Sequence, residues 1–220
     1  MTTMESVDIR LMKFDISKIE ANAFCLIMGK RRTGKSWLIK DILSHKSGLF
    51  SSGHVISCTD SIGKTYSQFA PQVTIDEGFD RKEVADLLSG YHKLAQERQK
   101  QNSFLIIDTL MGGPKDWDAL APAFINGRQY RLFVAVTMQY PEGLKPALRL
   151  NVDYVFIGCE QIRDNRDKIY KLWAGIFPTF DAFNTVMNNM TPYDFLVIDN
   201  TVPSNKLEDI VSWYRAPSTI

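Results

Sequence analysis

Cysteine and histidine are scarce in this chain. Cys25, Cys58 and Cys159 lie far apart and form no CxxC pair. Each sits in or beside an apolar run, the setting of buried reduced thiols rather than of a disulfide framework or a metal cluster. His45, His54 and His92 are equally scattered, so they indicate no zinc site. An excess of charge of one sign is also lacking: 26 basic residues face 25 acidic ones, a formal net charge of +1. That balance excludes attraction to nucleic acid by bulk charge, although Lys30, Arg31 and Arg32 form a local patch. No apolar run approaches the roughly 18 residues of a membrane span. The first residues lack the apolar core of a secretory signal, so the expectation is a protein made and used inside a cell.

What the chain does have is apolar material. Of its 220 residues, 45% are hydrophobic, enough for one sizeable core. With no internal repeat, low-complexity tract or linker, the reading is one domain over residues 1–220. Val7 to Phe14 alternates apolar and polar and predicts a half-exposed strand, an N-terminal extension within residues 1–20. Buried strands are predicted at Ala23–Met28, His54–Cys58, Phe104–Ile107, Leu132–Val136, Val152–Ile157 and Asp194–Ile198. Helical spacing is read at Arg81–Lys100, Asp116–Asn126, Asp164–Ala174 and Phe180–Asn188. Met111 to Pro114 must be a loop. A short helix, Lys206–Tyr214, is expected to close the chain within residues 200–220. Short apolar strands alternating with helices imply an α/β fold, a mostly parallel sheet with helices on both faces. Ligands of such sheets sit beyond the carboxyl ends of the strands, where Gly29, Asp60, Asp108 and Gln139 fall.

One of those ends carries a motif. Gly29-Lys30-Arg31-Arg32-Thr33-Gly34-Lys35-Ser36 fits G-x-x-x-x-G-K-[ST], the phosphate-binding loop of nucleotide triphosphatases. The apolar run before it and the helical Trp37–Leu43 after it supply the strand–loop–helix context that the motif requires. Gly29 and Gly34 let backbone N–H groups approach phosphate oxygens, and the helix that follows points its positive end at the same anion. Lys35 would reach the β- and γ-phosphates of ATP, and the Ser36 hydroxyl would bind Mg²⁺. Trp37 is placed either to stack on a base or to pack against the sheet.

Phe104-Leu105-Ile106-Ile107-Asp108 has the form of a metal-holding strand, with Asp108 opposite Ser36; the bland reading is an aspartate capping a turn. Gln139 ends another buried strand, where it would orient the attacking water or satisfy loop backbone. Phosphoryl transfer spreads charge onto γ-phosphate oxygens, and a neighbouring subunit's arginine often meets it. The candidates are Arg128, Arg131, Arg149, Arg163 and Arg166, each with a surface ion pair as its alternative role.

The combination of the loop (29–36) with Thr137-Met138-Gln139-Tyr140-Pro141 and Leu148-Arg149-Leu150-Asn151-Val152-Asp153-Tyr154-Val155-Phe156 resembles the genome-packaging ATPases of nucleocytoplasmic large DNA viruses, of the FtsK/HerA class of DNA-pumping motors. Asn165–Tyr170, Phe195–Asp199 and Trp213–Ala216 also fit, so the resemblance runs from about Phe24 to Ala216. It implies a single P-loop NTPase domain of RecA-like type. It implies a homo-oligomeric ring, a pentamer or hexamer, that uses ATP and Mg²⁺ to drive double-stranded DNA into a preformed shell. Capsid or portal proteins would be its partners, and the host cytoplasm (its viral factory) and the virion its locations. Gln139 takes the place of the family's polar sensor. Arg149, or else Arg128, takes the place of an arginine completing a neighbour's site.

One departure stands out. The family usually follows the metal aspartate with a second acid, whereas Asp108 is followed here by Thr109. A threonine hydroxyl is a poor proton acceptor. Either hydrolysis is blocked, or Glu77, Asp60 or Asp116 substitutes, or positioning of the water suffices. Three functions therefore compete: a DNA-translocating ATPase, a P-loop nucleotide kinase, and a nucleotide-binding assembly module with little hydrolysis.

Overall fold

The computed structural model describes residues 10–57, 64–97, 101–108, 114–140 and 142–218. Its strands are β1 (Met12–Lys13), β2 (Phe24–Met28), β3 (Phe50–Ser57), β4 (Gln72–Asp76), β5 (Asn102–Asp108), β6 (Leu132–Met138), β7 (Tyr154–Gly158), β8 (Asp194–Asp199) and β9 (Val211–Arg215). They form a single sheet in the order β1-β9-β8-β7-β2-β6-β5-β3-β4. The helices are α1 (Lys35–Ser44), α2 (Arg81–Gln96), α3 (Pro114–Asn126), α4 (Pro146–Arg149), α5 (Arg163–Leu172), α6 (Phe180–Asn188) and α7 (Leu207–Ile210). Among the described residues, no helix is long and apolar enough to cross a membrane.

Every residue of β2 and β6 is buried, because the sheet is covered on both faces and each strand must be apolar on both sides. Phe24, Leu26 and Met28 face a core shared with α2, α3, α5 and α6. Cys25 and Ile27 face a second core, built with α1 and the segment from Phe14 to Ile19. β2 pairs in parallel with β6 on one side and β7 on the other. The chain leaves β2 through α1 and re-enters the sheet at β3, two strands beyond β6. The end of β2 is therefore a switch point, where the flanking connections diverge and leave a crevice. This is the α/β architecture that the sequence predicts.

Three details differ from expectation. The tail is not a helix over Lys206–Tyr214: α7 covers only Leu207–Ile210, and the chain then enters β9. β9 pairs antiparallel with β8 and parallel with β1. An open edge on β8 and a run holding Val211, Trp213 and Tyr214 favour a strand over a short solvated helix. The N-terminal strand is shorter than Val7–Phe14, with pairing at Met12–Lys13; residues 7–9 lie outside the described part. β4 is an unpredicted edge strand beside β3, although Gln72-Val73-Thr74-Ile75-Asp76 has the alternation of one. Cys58, Asp60, Thr109, Pro141, residues 98–100 at the end of the predicted Arg81–Lys100 helix, and residues 111–113 of the predicted Met111–Pro114 loop lie outside the described residues; Pro114 itself is not loop but opens α3, where the first helical turn tolerates a proline.

Close packing within the sheet gives a direct test. Gly53 of β3 sits opposite Phe104 of β5, and a Cβ on it would lie 2.0 Å from the ring of that fully buried side chain. Phe104 is itself edge-to-face with Phe50, at a centroid separation of 5.4 Å. We predict that Gly53→Ala destabilises the fold by about 1–3 kcal/mol, the usual cost of overpacking. A urea unfolding midpoint equal to that of the parent chain contradicts this packing.

Candidate nucleotide and metal site

The phosphate loop curls tightly at the end of β2. A Cβ on Gly29 would lie 2.7 Å from Thr33 Oγ1, so only glycine permits the curl. Gly29 N–H donates to the Met138 carbonyl of β6 (3.1 Å), and Thr33 Oγ1 donates to the Lys30 carbonyl (2.9 Å). Gly34, at φ +94°, is the N-cap of α1 and offers no side-chain cap. The first amides of α1 are thus left for an anion. Lys35 is buried, and its Nζ donates to the carbonyls of Gly29 (2.7 Å) and Lys30 (2.9 Å). Burial lowers the Lys35 pKa, and the nearby Asp108 charge works against that fall. Arg31 and Arg32 are exposed, and Lys30 Nζ donates to Gln161 Oε1 (2.7 Å). Trp37 is partly buried and packs against the core beneath α1, with Lys40 Nζ 4.7 Å from its ring centre.

The metal side is equally ordered. Asp108, at the end of β5, is buried. Its Oδ2 accepts from Ser36 Oγ (2.9 Å) and its Oδ1 from Thr137 Oγ1 (3.0 Å). Thr137 is fully buried on β6 and was absent from the sequence-derived site. A signal was there to be read: a hydroxyl in an otherwise apolar strand must find a partner. Tyr66, on the 3₁₀ turn Lys64–Phe69, is a second residue that sequence reasoning missed. Burial pushes its phenol pKa up, and Asp108 adds to the rise while Ser36 opposes it. Mg²⁺ prefers hard oxygens, keeps several waters, and in phosphate sites takes one or two protein ligands. A serine hydroxyl bonded to a buried carboxylate beside a phosphate loop fits that demand.

The remaining candidates separate. Gln139 follows Met138 directly and is partly buried, at the rim of the loop that Met138 supports. Arg128 and Arg149 lie at the opposite, amino ends of the strands. Arg128 pairs with Asp153, whose carboxylate also accepts from the Phe24 amide at the start of β2. Arg149 Nη1 donates to the Leu172 carbonyl (3.1 Å), and its guanidinium lies 5.7 Å from the Trp173 ring centre. Neither can serve the loop of its own chain. Arg166 is held by the Glu160 carbonyl, Asn184 and Asn188, Arg163 lies over Phe180, and Arg131 is exposed. Of the substitute acids, Glu77 is exposed just past β4, and Asp116 is paired with Arg81 at 2.6 Å.

No family model matches the chain. The uncharacterized protein L437 of Acanthamoeba polyphaga mimivirus is 33% identical over 220 residues, spanning 94% of this chain and 77% of that protein. The uncharacterized protein 088R of Invertebrate iridescent virus 3 is 34% identical over 194 residues, spanning 87% and 74%. Among solved structures, the genome packaging NTPase B204 from Sulfolobus turreted icosahedral virus 2, in complex with AMP, superposes with a TM-score of 0.64 at 16% identity, covering 90% of this chain and all 100% of that one. ATPases 2 and 3 of EssC from Geobacillus thermodenitrificans give a TM-score of 0.62 at 12% identity, covering 90% and 41%. These relatives bear out the resemblance read from the sequence: the chain belongs to the family of nucleocytoplasmic large DNA virus proteins that includes L437 and 088R, and its fold is that of a viral genome-packaging NTPase.

Proposed function

We propose that this chain is the ATPase of a viral genome-packaging motor and couples ATP hydrolysis to movement of double-stranded DNA into a capsid. The observation that carries the reading is the Ser36–Asp108 hydrogen bond, which sets a metal-binding pair beside the phosphate loop. Loop amides and Lys35 hold the triphosphate, and Ser36 and Asp108 hold Mg²⁺. The ion, when bound, neutralises charge on the β- and γ-phosphates. Thr137 fixes the orientation of Asp108, and Gln139 positions the attacking water. Contacts to DNA are to the phosphate backbone and insensitive to sequence. The subunits form a five- or six-membered ring, in which Arg149 or Arg128, remote from its own loop, faces the next subunit's site. Capsid or portal proteins anchor the ring, in the infected cell's cytoplasm and in the virion.

The nucleoside end of ATP has a place as well. A cavity of about 350 Å³ lies beside the phosphate loop, lined by Asp41, Tyr193, Tyr214, Arg215, Pro217 and Ser218. That is the size of a small-ligand site, about 300–1,000 Å³. Tyr193 N–H donates to the Thr33 carbonyl (3.1 Å), and its ring packs on Gly34. Its φ of +76° is strained for a bulky residue, and such strain gathers at ligand clamps. Tyr193→Asn suits that backbone but removes the ring. The affinity advantage of ATP over inorganic tripolyphosphate should then fall about tenfold, the scale of one aromatic stack on a base; an unchanged ratio contradicts this use of the cavity.

Thr109 after Asp108 favours a second reading, an assembly module that binds nucleotide with little turnover. ATP turnover with and without duplex DNA, and no phosphate acceptor, separates the two. The motor is stimulated by DNA, the module is not, and a kinase is silent without an acceptor. Thr109→Glu should raise turnover more than tenfold, since acid–base groups contribute about 10²–10⁴. An unchanged rate dismisses the missing acid as the brake.

A further inference from the structure

Tyr66 differs from the other buried polar groups around the phosphate loop. Its side chain is fully buried, in the core cluster that contains Leu38 and Ile39 of α1. Its hydroxyl is buried with it, within reach of Ser36, and closes no hydrogen bond of good geometry among the described residues. Ser36 and Asp108 lie near enough to act on that hydroxyl, but the Ser36 proton already goes to Asp108 Oδ2, and the Thr137 proton to Oδ1. A hydroxyl left in this state loses water and gains nothing in return. Buried groups of that kind call for a partner beyond the protein's own atoms, such as an ordered water or an ion.

The pair beside it supplies the reason. Mg²⁺ retains water ligands, and those waters donate outward to acceptors in the protein. A phenol can accept one such hydrogen bond and give its own proton away, and a carboxylate has about four lone-pair sites, more than the Ser36 and Thr137 hydroxyls take up. We propose that Tyr66 is an outer-sphere positioning residue of the magnesium site: its Oη accepts from a metal-bound water and donates to the Asp108 carboxylate. Tyr66 thus couples the turn Lys64–Phe69 to the arrival of the metal–nucleotide complex. This inference rests on the nucleotide reading given above.

The test is calorimetry of a non-hydrolysable ATP analogue, with and without Mg²⁺, on the parent chain and on Tyr66→Phe. Phenylalanine keeps the ring and removes only the hydroxyl. The ligand-free unfolding midpoint should stay the same or rise, because no hydrogen bond is lost. Affinity without Mg²⁺ should be unchanged. The gain in affinity that Mg²⁺ brings should shrink about three- to tenfold, the worth of one hydrogen bond. In an Asp108→Asn background, Tyr66→Phe should have no further effect on that gain. A full Mg²⁺ gain in Tyr66→Phe, an equal loss with and without metal, or a lowered ligand-free midpoint overturns this inference and leaves nucleotide binding standing. A parent chain with no affinity for the analogue under either condition overturns both.

Discussion

A single hydrogen bond, Ser36 Oγ to Asp108 Oδ2 at 2.9 Å, ties the helix after the phosphate loop to the end of β5. These residues are 72 positions apart, and they meet only because β2 and β5 flank β6 in the parallel part of one sheet. Burial makes the contact consequential. A carboxylate withdrawn from water must be met by donors, and Asp108 draws one from α1 and one from β6. The strand order is what brings serine, aspartate and threonine to one point before any metal arrives. Electrostatic groups fixed in advance need no reorganisation when charge develops.

The carboxyl-terminal part of the chain completes the other side of the loop. Tyr193 reaches Gly34 because β8 runs antiparallel to β7 and begins beside the phosphate loop. The Ala216 amide donates to the Tyr193 carbonyl (2.9 Å), so the exit of β9 braces the same corner. Tyr214 donates to Asp41 inside α1, a buried bond between strand and helix. The loop is therefore clasped between β6 and the β8–β9 pair, and Gly34 is required both by its left-handed backbone and by the tyrosine against it.

Much of this was legible in the sequence, for identifiable reasons. A glycine loop between an apolar run and a helical pattern specifies its own context, and apolar runs ending in Asp108 and Gln139 place those residues at the strand ends. Thr137 carries no such strand-end signal: it stands inside an apolar strand, where its partner is fixed by strand order and not by spacing. Tyr66 carries no local signal, since its meaning comes from a hydroxyl left over after folding. The tail reads as a helix in sequence because Leu207 and Ile210 keep helical spacing, whereas the open edge of β8, a tertiary feature, decides Val211 onward. The arginines were the least legible: five candidates look alike along the chain, and only the fold shows that Arg128 and Arg149 lie away from the loop.

The central claim is that the loop from Gly29 to Ser36 grips a triphosphate. Titration calorimetry of ATP and Mg²⁺ into the purified chain and into its Lys35→Ala variant tests it most directly. Saturable, magnesium-dependent binding to the parent chain, lost at least a hundredfold in the variant, is the predicted result; a charged hydrogen bond is worth about 1.5–3 kcal/mol, and Lys35 would make more than one. Absence of binding in the parent chain, or equal binding in the variant, contradicts the account.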